Sequence, residues 1–87
     1  MKAVRVKEYG GPEVMTYEDI AVPTPGATDV LVKIAAAGIN FIDTYQRSGL
    51  YPVPLPLTLG LEGAGTVEET GDGVSLFNKG DRVAYTS

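Results

Sequence analysis

The stretch "VLVKIAAAGINFIDTYQRSGLY", residues 30–51, decides the fold because the spacing of its apolar residues changes partway along. Its first half, Val30–Asn40, is rich in Val and Ile and is typical of a β-strand. Across residues 41–45 the apolar side chains fall at helical spacing instead, and Ser48 and Gly49 supply a stop signal. The stretch therefore predicts one strand followed by one short helix.

The flanking sequence predicts further short strands, separated by glycine and proline turns. They are Met1–Lys7, Val14–Val22, Leu61–Thr70 and a last strand in "RVAYTS", residues 82–87. "YGGPE" breaks the first strand, while "GDG" and Gly80-Asp81 predict tight turns. Prolines at every second position of "YPVPLPLTLG" exclude a helix or a central strand there and predict an extended surface segment. The pattern favours a mainly β fold, a small and mostly antiparallel, partly open barrel with one short helix.

The bulk composition limits the class of protein. The chain has 87 residues, which suits one small domain, and 44% hydrophobic residues, which allows a folded core. Its net charge of −4 argues against a nucleic-acid or anionic-membrane surface. It contains no Cys and no His, which excludes a disulfide framework, a thiolate or imidazole zinc site and a histidine general base. Neither a signal peptide nor a membrane span is visible, so we expect a cytoplasmic protein.

Three segments together carry a family resemblance: "AAAGINFIDTYQRSGLY", "PLTLGLEGAGTVEETGDGV" and "FNKGDRVAY". They resemble the amino-terminal, GroES-like domain of the medium-chain dehydrogenase/reductase superfamily. The opening "MKAVRVKEYGGPEVM" and "GINFIDTYQRSGLY" are similar to the zinc-free NADPH:quinone oxidoreductase branch, the zeta-crystallin-like enzymes. The resemblance implies that residues 1–87 form the N-terminal part of an alcohol dehydrogenase-like catalytic domain. It also implies that the Rossmann NADP-binding domain is absent from this chain, so that the fragment alone is inactive.

The resemblance gives a meaning to Glu62, a lone carboxylate in an apolar, glycine-punctuated run. In the zinc-dependent relatives the residue before the matching glutamate is a histidine that binds catalytic zinc, and an earlier cysteine is another ligand. Here those places hold Leu61 and Asn40, which are not zinc donors of the usual kind. We therefore expect no metal. Because an unpaired buried carboxylate is costly, Glu62 is predicted to be a structural group bonded to backbone N–H groups or to a basic partner.

The predicted helix region supplies candidate site residues. Asn40 offers an amide, Asp43 lies three residues on at the same helical face, and Tyr45 and Tyr51 each offer a ring and a hydroxyl. The resemblance implies that Tyr45 contacts NADP(H) and that Asn40 lines the nicotinamide cleft. The candidate catalytic residues are Asn40, Asp43 and Tyr51. Alternatives are rim packing for Tyr45, a helix-end ion pair for Asp43, and a phosphate or Asp43 as the partner of Arg47.

The activity that the resemblance implies is zinc-independent hydride transfer from NADPH to a quinone, by an oxidoreductase that is a homodimer at full length. "GLEGAG" is not a nucleotide-binding turn, because it runs into a strand and not into a helix. One alternative is a zinc-free enoyl or enone reductase of the same superfamily. Another is a stand-alone GroES-like binding module, for which the chain lacks a long mobile loop with an apolar tip. A third is a regulator that kept the fold and lost catalysis.

Overall fold

The computed structural model describes residues 1–86, and the chain is mainly β with one α-helix, as predicted. The elements in chain order are β1 (Lys2–Val6), a 3₁₀ helix (Pro12–Val14), β2 (Met15–Asp19), β3 (Val30–Ala37), α1 (Phe41–Ser48), β4 (Leu57–Thr58), β5 (Glu62–Thr70) and β6 (Arg82–Thr86). All strand pairs in this part of the chain are antiparallel. The chain divides into two compact units, each made of two separate segments.

The first unit contains Met1–Val22 and Ile39–Leu61. Its sheet has the strand order β2-β1-β4, with β1 in the centre. The central strand contributes the buried side chains of this sheet, Ala3 and Val6, and Val6 is fully buried. Burial of such apolar groups is the main favourable term in a domain of this size.

Two local elements of the first unit differ from the sequence prediction. The break at "YGGPE" contains one 3₁₀ turn, Pro12–Val14, in which proline occupies a first-turn position where its missing N–H costs nothing. The proline-rich segment ends in β4, where Leu57 and Thr58 pair with β1. Both β4 residues follow the last proline and so keep their N–H groups. The strand lies at the sheet edge, so the exclusion of a central strand is confirmed.

The second unit contains Pro23–Gly38 and the described part of Glu62–Ser87. Its sheet has the order β3-β5-β6, with β5 in the centre and Val67 of β5 only 1% exposed. The β3–β5 register shifts twice, between Leu31 and Val32 and between Ile34 and Ala36. Gly65 lies so close to the backbone of Lys33 that a Cβ would overlap its carbonyl oxygen. The small residues of β5 therefore allow a close approach of the two strand backbones.

Helix α1 begins at Phe41, where the helical spacing of the apolar residues begins, and ends at the predicted stop signal. Asn40 is the N-cap residue with extended backbone, and Gly49 is the C-cap residue in the left-handed region at φ 86°. A residue with a Cβ would be strained at that φ, which explains the glycine. Within residues 1–86 the structure has no helix with the length and apolar character needed to cross a membrane.

Candidate functional site

The start of α1 brings together two of the predicted site residues, Asn40 and Asp43. The backbone N–H of Asn40 donates a hydrogen bond of 3.0 Å to Asp43 Oδ2. The backbone N–H of Asp43 in turn donates to the carbonyl oxygen of Asn40, also at 3.0 Å. Asp43 is only 9% exposed, so its carboxylate holds this turn from a position largely shielded from water. The backbone of Asn40 is thereby held at the helix start, and its side chain is exposed.

The second carboxylate oxygen of Asp43, Oδ1, is buried and has no hydrogen-bond partner among the described residues. The alternative of a helix-end ion pair between Asp43 and Arg47 is wrong for this structure. Arg47 Nε donates to the carbonyl oxygen of Gly10 at 3.2 Å, and the N–H of Gly10 donates to the carbonyl oxygen of Arg47 at 3.0 Å. Arg47 therefore joins the helix end to the loop after β1.

Tyr45 and Tyr51 form an aromatic pair at the other end of the helix. Their ring centroids lie 5.4 Å apart and their planes meet at 85°, an edge-to-face contact. The N–H of Tyr51 also donates to the carbonyl oxygen of Tyr45 at 3.2 Å. Tyr45 is 37% exposed and Tyr51 is 54% exposed. The two rings therefore contact each other and both residues remain partly exposed.

Glu62 lies in the second unit, against Gly38. A Cβ built on Gly38 would stand 2.7 Å from Glu62 Cγ and would overlap the carboxylate. No hydrogen bond or ion pair of the Glu62 side chain occurs within residues 1–86. The expectation that backbone N–H groups or a basic partner bond Glu62 is thus wrong for the part of the chain described here.

An open groove of about 550 Å³ runs beside Glu62 on the sheet of the second unit. Its floor is a row of three paired alanines, Ala36, Ala64 and Ala84, one on each strand. Small side chains in register leave the surface of the sheet low at this row. The lining is mostly apolar, and its polar side chains are those of Glu62, Tyr85 and Thr86.

The donor set of the chain does not suit a transition metal. Leu61 carries no donor atom, and the sequence has no Cys or His. Among residues 1–86 no group of three or more Asp or Glu side chains is close enough together to hold a metal ion. The two positions at which the resemblance predicts a zinc-ligand comparison, 61 and 40, hold a hydrocarbon side chain and a neutral amide.

The contact between Tyr9 and Val53 could not be predicted from the sequence patterns. The hydroxyl of Tyr9 donates a hydrogen bond of 2.6 Å to the carbonyl oxygen of Val53, and the N–H of Val53 donates back to that hydroxyl at 3.1 Å. The two residues lie 44 positions apart in the chain. Local periodicity carries no information about such a pair, and only the neighbouring turn signals at "YGGPE" mark the region.

Comparison with known proteins places this geometry in a family. Residues 26–87 match the model of the alcohol dehydrogenase GroES-like domain. The quinone oxidoreductase of Pseudomonas aeruginosa is 54% identical over 87 residues, covering 99% of this chain and 27% of that protein. The chain thus spans about a quarter of the length of the curated relatives it matches.

Two solved structures share the fold closely. The quinone oxidoreductase of Pseudomonas syringae pv. Tomato DC3000 superposes with a TM-score of 0.96 at 54% identity, covering 99% of this chain and 27% of that one. The Escherichia coli quinone oxidoreductase complexed with NADPH gives a TM-score of 0.96 at 45% identity, with the same coverage. The chain belongs to the alcohol dehydrogenase GroES-like domain family and, within the medium-chain dehydrogenase/reductase superfamily, to the quinone oxidoreductase branch.

Proposed function

We propose that this chain is the N-terminal part of the catalytic domain of an NADPH-dependent quinone oxidoreductase that works without zinc. The proposal places the Rossmann NADP-binding domain outside residues 1–87 and takes the complete enzyme to be a homodimer. The observation that carries it is the exposed Tyr45–Tyr51 pair, of which Tyr45 lies on the helix that Asn40 caps and Tyr51 follows that helix. The supporting comparison is the 54% identity to a quinone oxidoreductase along nearly the whole chain.

The exposed groups of this helix suit the flat end of the cofactor. Tyr45 offers ring surface against a nicotinamide, and the Asn40 amide offers both a donor and an acceptor for polar groups at the edge of that ring. The described residues show no glycine-rich turn that leads from a strand into a helix, the usual cradle for a pyrophosphate. We therefore assign the nicotinamide wall to this chain and the phosphate contacts to the other domain.

The chemistry needs positioned donors more than it needs a metal. NADPH supplies a hydride, and a quinone accepts it readily because its two carbonyl groups withdraw electrons. Negative charge then grows on the quinone oxygens. We assign the Asn40 amide and the Tyr51 hydroxyl as the hydrogen-bond donors that stabilise this charge. Asp43 acts one step back, because its carboxylate fixes the backbone of Asn40.

A chimeric enzyme tests the proposal directly. The segment of the P. aeruginosa quinone oxidoreductase that matches this chain is replaced by this chain, and NADPH-dependent reduction of a quinone is measured. We expect turnover within about ten-fold of the unaltered relative, which corresponds to ~1.4 kcal/mol in barrier height. The chain alone should bind NADPH only weakly, because the helix N-terminus that anchors the pyrophosphate is missing.

The same chimera separates the proposal from its alternatives. A folded chimera that binds NADPH and reduces an enone but no quinone would favour the enone reductase. Micromolar NADPH binding by the 87-residue chain alone would contradict the division of the cofactor site. For the zinc-free part, the dialysed chain is analysed for metals, and we expect less than stoichiometric zinc. Zinc retained at one equivalent against a chelator would overturn that part.

A further inference from the structure

The segment that follows helix α1, residues 49–53, is held from two sides. On one side the helix end holds it, through the bond from the Tyr51 N–H to the Tyr45 carbonyl oxygen. On the other side Tyr9, which comes from the loop after β1, holds Val53 through its hydroxyl group. Tyr51 is itself the first attachment point and lies two residues before the second, so its position depends on both.

The Tyr9 hydroxyl meets a particular need of this segment. Val53 stands between Pro52 and Pro54, which have no N–H to offer a neighbouring strand. One hydroxyl group serves both backbone groups of Val53, because it donates to the carbonyl oxygen at 2.6 Å and accepts from the N–H at 3.1 Å. A phenol has one donor and can accept at the same time, so this single side chain replaces a short piece of sheet pairing.

The ring of Tyr9 is fixed as well as its hydroxyl. It packs against Gly49, where an added Cβ would lie 2.9 Å from Tyr9 Cγ. The next residue, Gly10, exchanges two hydrogen bonds with Arg47, one to its side chain and one to its backbone. The loop that carries Tyr9 is therefore attached to the last turn of α1. This attachment fixes the position from which the Tyr9 hydroxyl bonds to Val53.

We propose that Tyr9 is a positioning residue, which sets the place of the Tyr51 ring and, through the edge-to-face contact, the orientation of Tyr45. An effect of Tyr9 on ligand binding rests on the proposed function, in which Tyr45 contacts the nicotinamide and Tyr51 contacts the quinone. Tyr9 itself touches neither. Its hydroxyl fixes Val53, two residues beyond Tyr51, and so limits the movement of the ring that packs on Tyr45.

The positioning is tested on the 87-residue chain without any cofactor. Tyr9→Phe keeps the ring and removes both hydrogen bonds. Tyr17→Phe is the matched control, since Tyr17 is 72% exposed on β2 and its hydroxyl has no hydrogen bond within residues 1–86. By NMR we expect Tyr9→Phe to weaken the cross-peaks between the Tyr45 and Tyr51 rings. It should also speed amide exchange at Val53 by about three- to ten-fold, the equivalent of one neutral hydrogen bond.

The consequence for the site is tested in the chimera described above. There Tyr9→Phe should weaken NADPH binding by roughly three- to ten-fold, while Tyr17→Phe should leave it unchanged. Unchanged ring cross-peaks and unchanged Val53 exchange in Tyr9→Phe would overturn the positioning role. Lost cross-peaks together with unchanged NADPH affinity would support the positioning role and would show instead that the tyrosine pair does not contact the cofactor.

Discussion

Glu62 extends across the backbone of Gly38 so closely that a methyl group on Gly38 would stand 2.7 Å from Glu62 Cγ and overlap the carboxylate. Gly38→Ala should therefore destabilise the chain by up to about 1 kcal/mol, because the flexible Glu62 side chain, which has no hydrogen bond or ion pair within residues 1–86, has to turn away to make room. The measurement is the free energy of unfolding in urea. In a Glu62→Ala background the same substitution should cost much less, since the obstacle is gone. An equal cost in both backgrounds would show that the two side chains do not compete for this space.

The charge of Glu62 should matter less than its shape. Within residues 1–86 its carboxylate has no hydrogen bond or ion pair, so Glu62→Gln should change the free energy of unfolding of the chain by no more than about 0.5 kcal/mol. A loss of about 1–3 kcal/mol, the scale of a charged hydrogen bond, would instead reveal a partner for the charge. In the chimera the same variant should keep its turnover.

The carboxylate of Asp43 should contribute considerably more to the free energy of unfolding than the charge of Glu62 does. Asp43→Ala removes a charge-assisted bond to the Asn40 N–H at a shielded helix start and should cost about 1–3 kcal/mol. Helix content by circular dichroism and unfolding in urea both report the loss. Asp72→Ala is the matched control, because Asp72 lies in an exposed turn and its side chain has no hydrogen bond in the part of the chain described. If both variants cost the same, Asp43 does not hold the helix start.

Replacing Tyr45 should affect the cofactor more than the fold. In the chimera, Tyr45→Ala should weaken NADPH binding by roughly 1–3 kcal/mol, the scale of burying one large side chain. Tyr45→Phe should cost much less if ring contact dominates, and nearly as much if the hydroxyl group is what binds. The measurement is NADPH affinity beside the melting temperature of both variants.

Tyr45→Ala also removes the ring contact with Tyr51, and this loss determines how much the substitution lowers stability. Edge-to-face pairs contribute about 0.5–1.5 kcal/mol, so Tyr45→Ala should lower the melting temperature only modestly. A large fall in melting temperature with unchanged NADPH affinity would make Tyr45 a purely structural residue. Tyr51→Ala is the natural comparison, since it removes the same aromatic contact from the other side.

The sequence was informative where a structure depends on neighbouring residues. The end of α1 follows from Ser48 and Gly49, because a left-handed turn has a residue preference of its own. The strand cores of β3 and β5 likewise follow from their β-branched content and small residues. The bond between Asp43 and the Asn40 N–H lies within a single turn, so the spacing of these residues was enough to group them.

Contacts between distant parts of the chain could not be predicted in this way. The Tyr9–Val53 bonds and the exchange between Gly10 and Arg47 join segments that local patterns treat separately. Strand β4 was missed for a related reason, since its two residues become a strand only when β1 lies beside them. The partner expected for Glu62 was inferred from the cost of an unpaired charge, which says that a partner is needed but not where it lies.

The division of each compact unit into two separate stretches of chain has a consequence for how this protein folds during synthesis. The first unit cannot be completed before Leu61 has been made, and by then the first half of the second unit has already been translated and waits for β5. Both units therefore close long loops, which slows folding compared with sequential domains of the same size. It also means that a cleavage between Gly38 and Ile39 would separate the two stretches of both units, whereas a cleavage between Val22 and Pro23 would separate those of the first unit alone. Neither unit could be isolated as a continuous peptide.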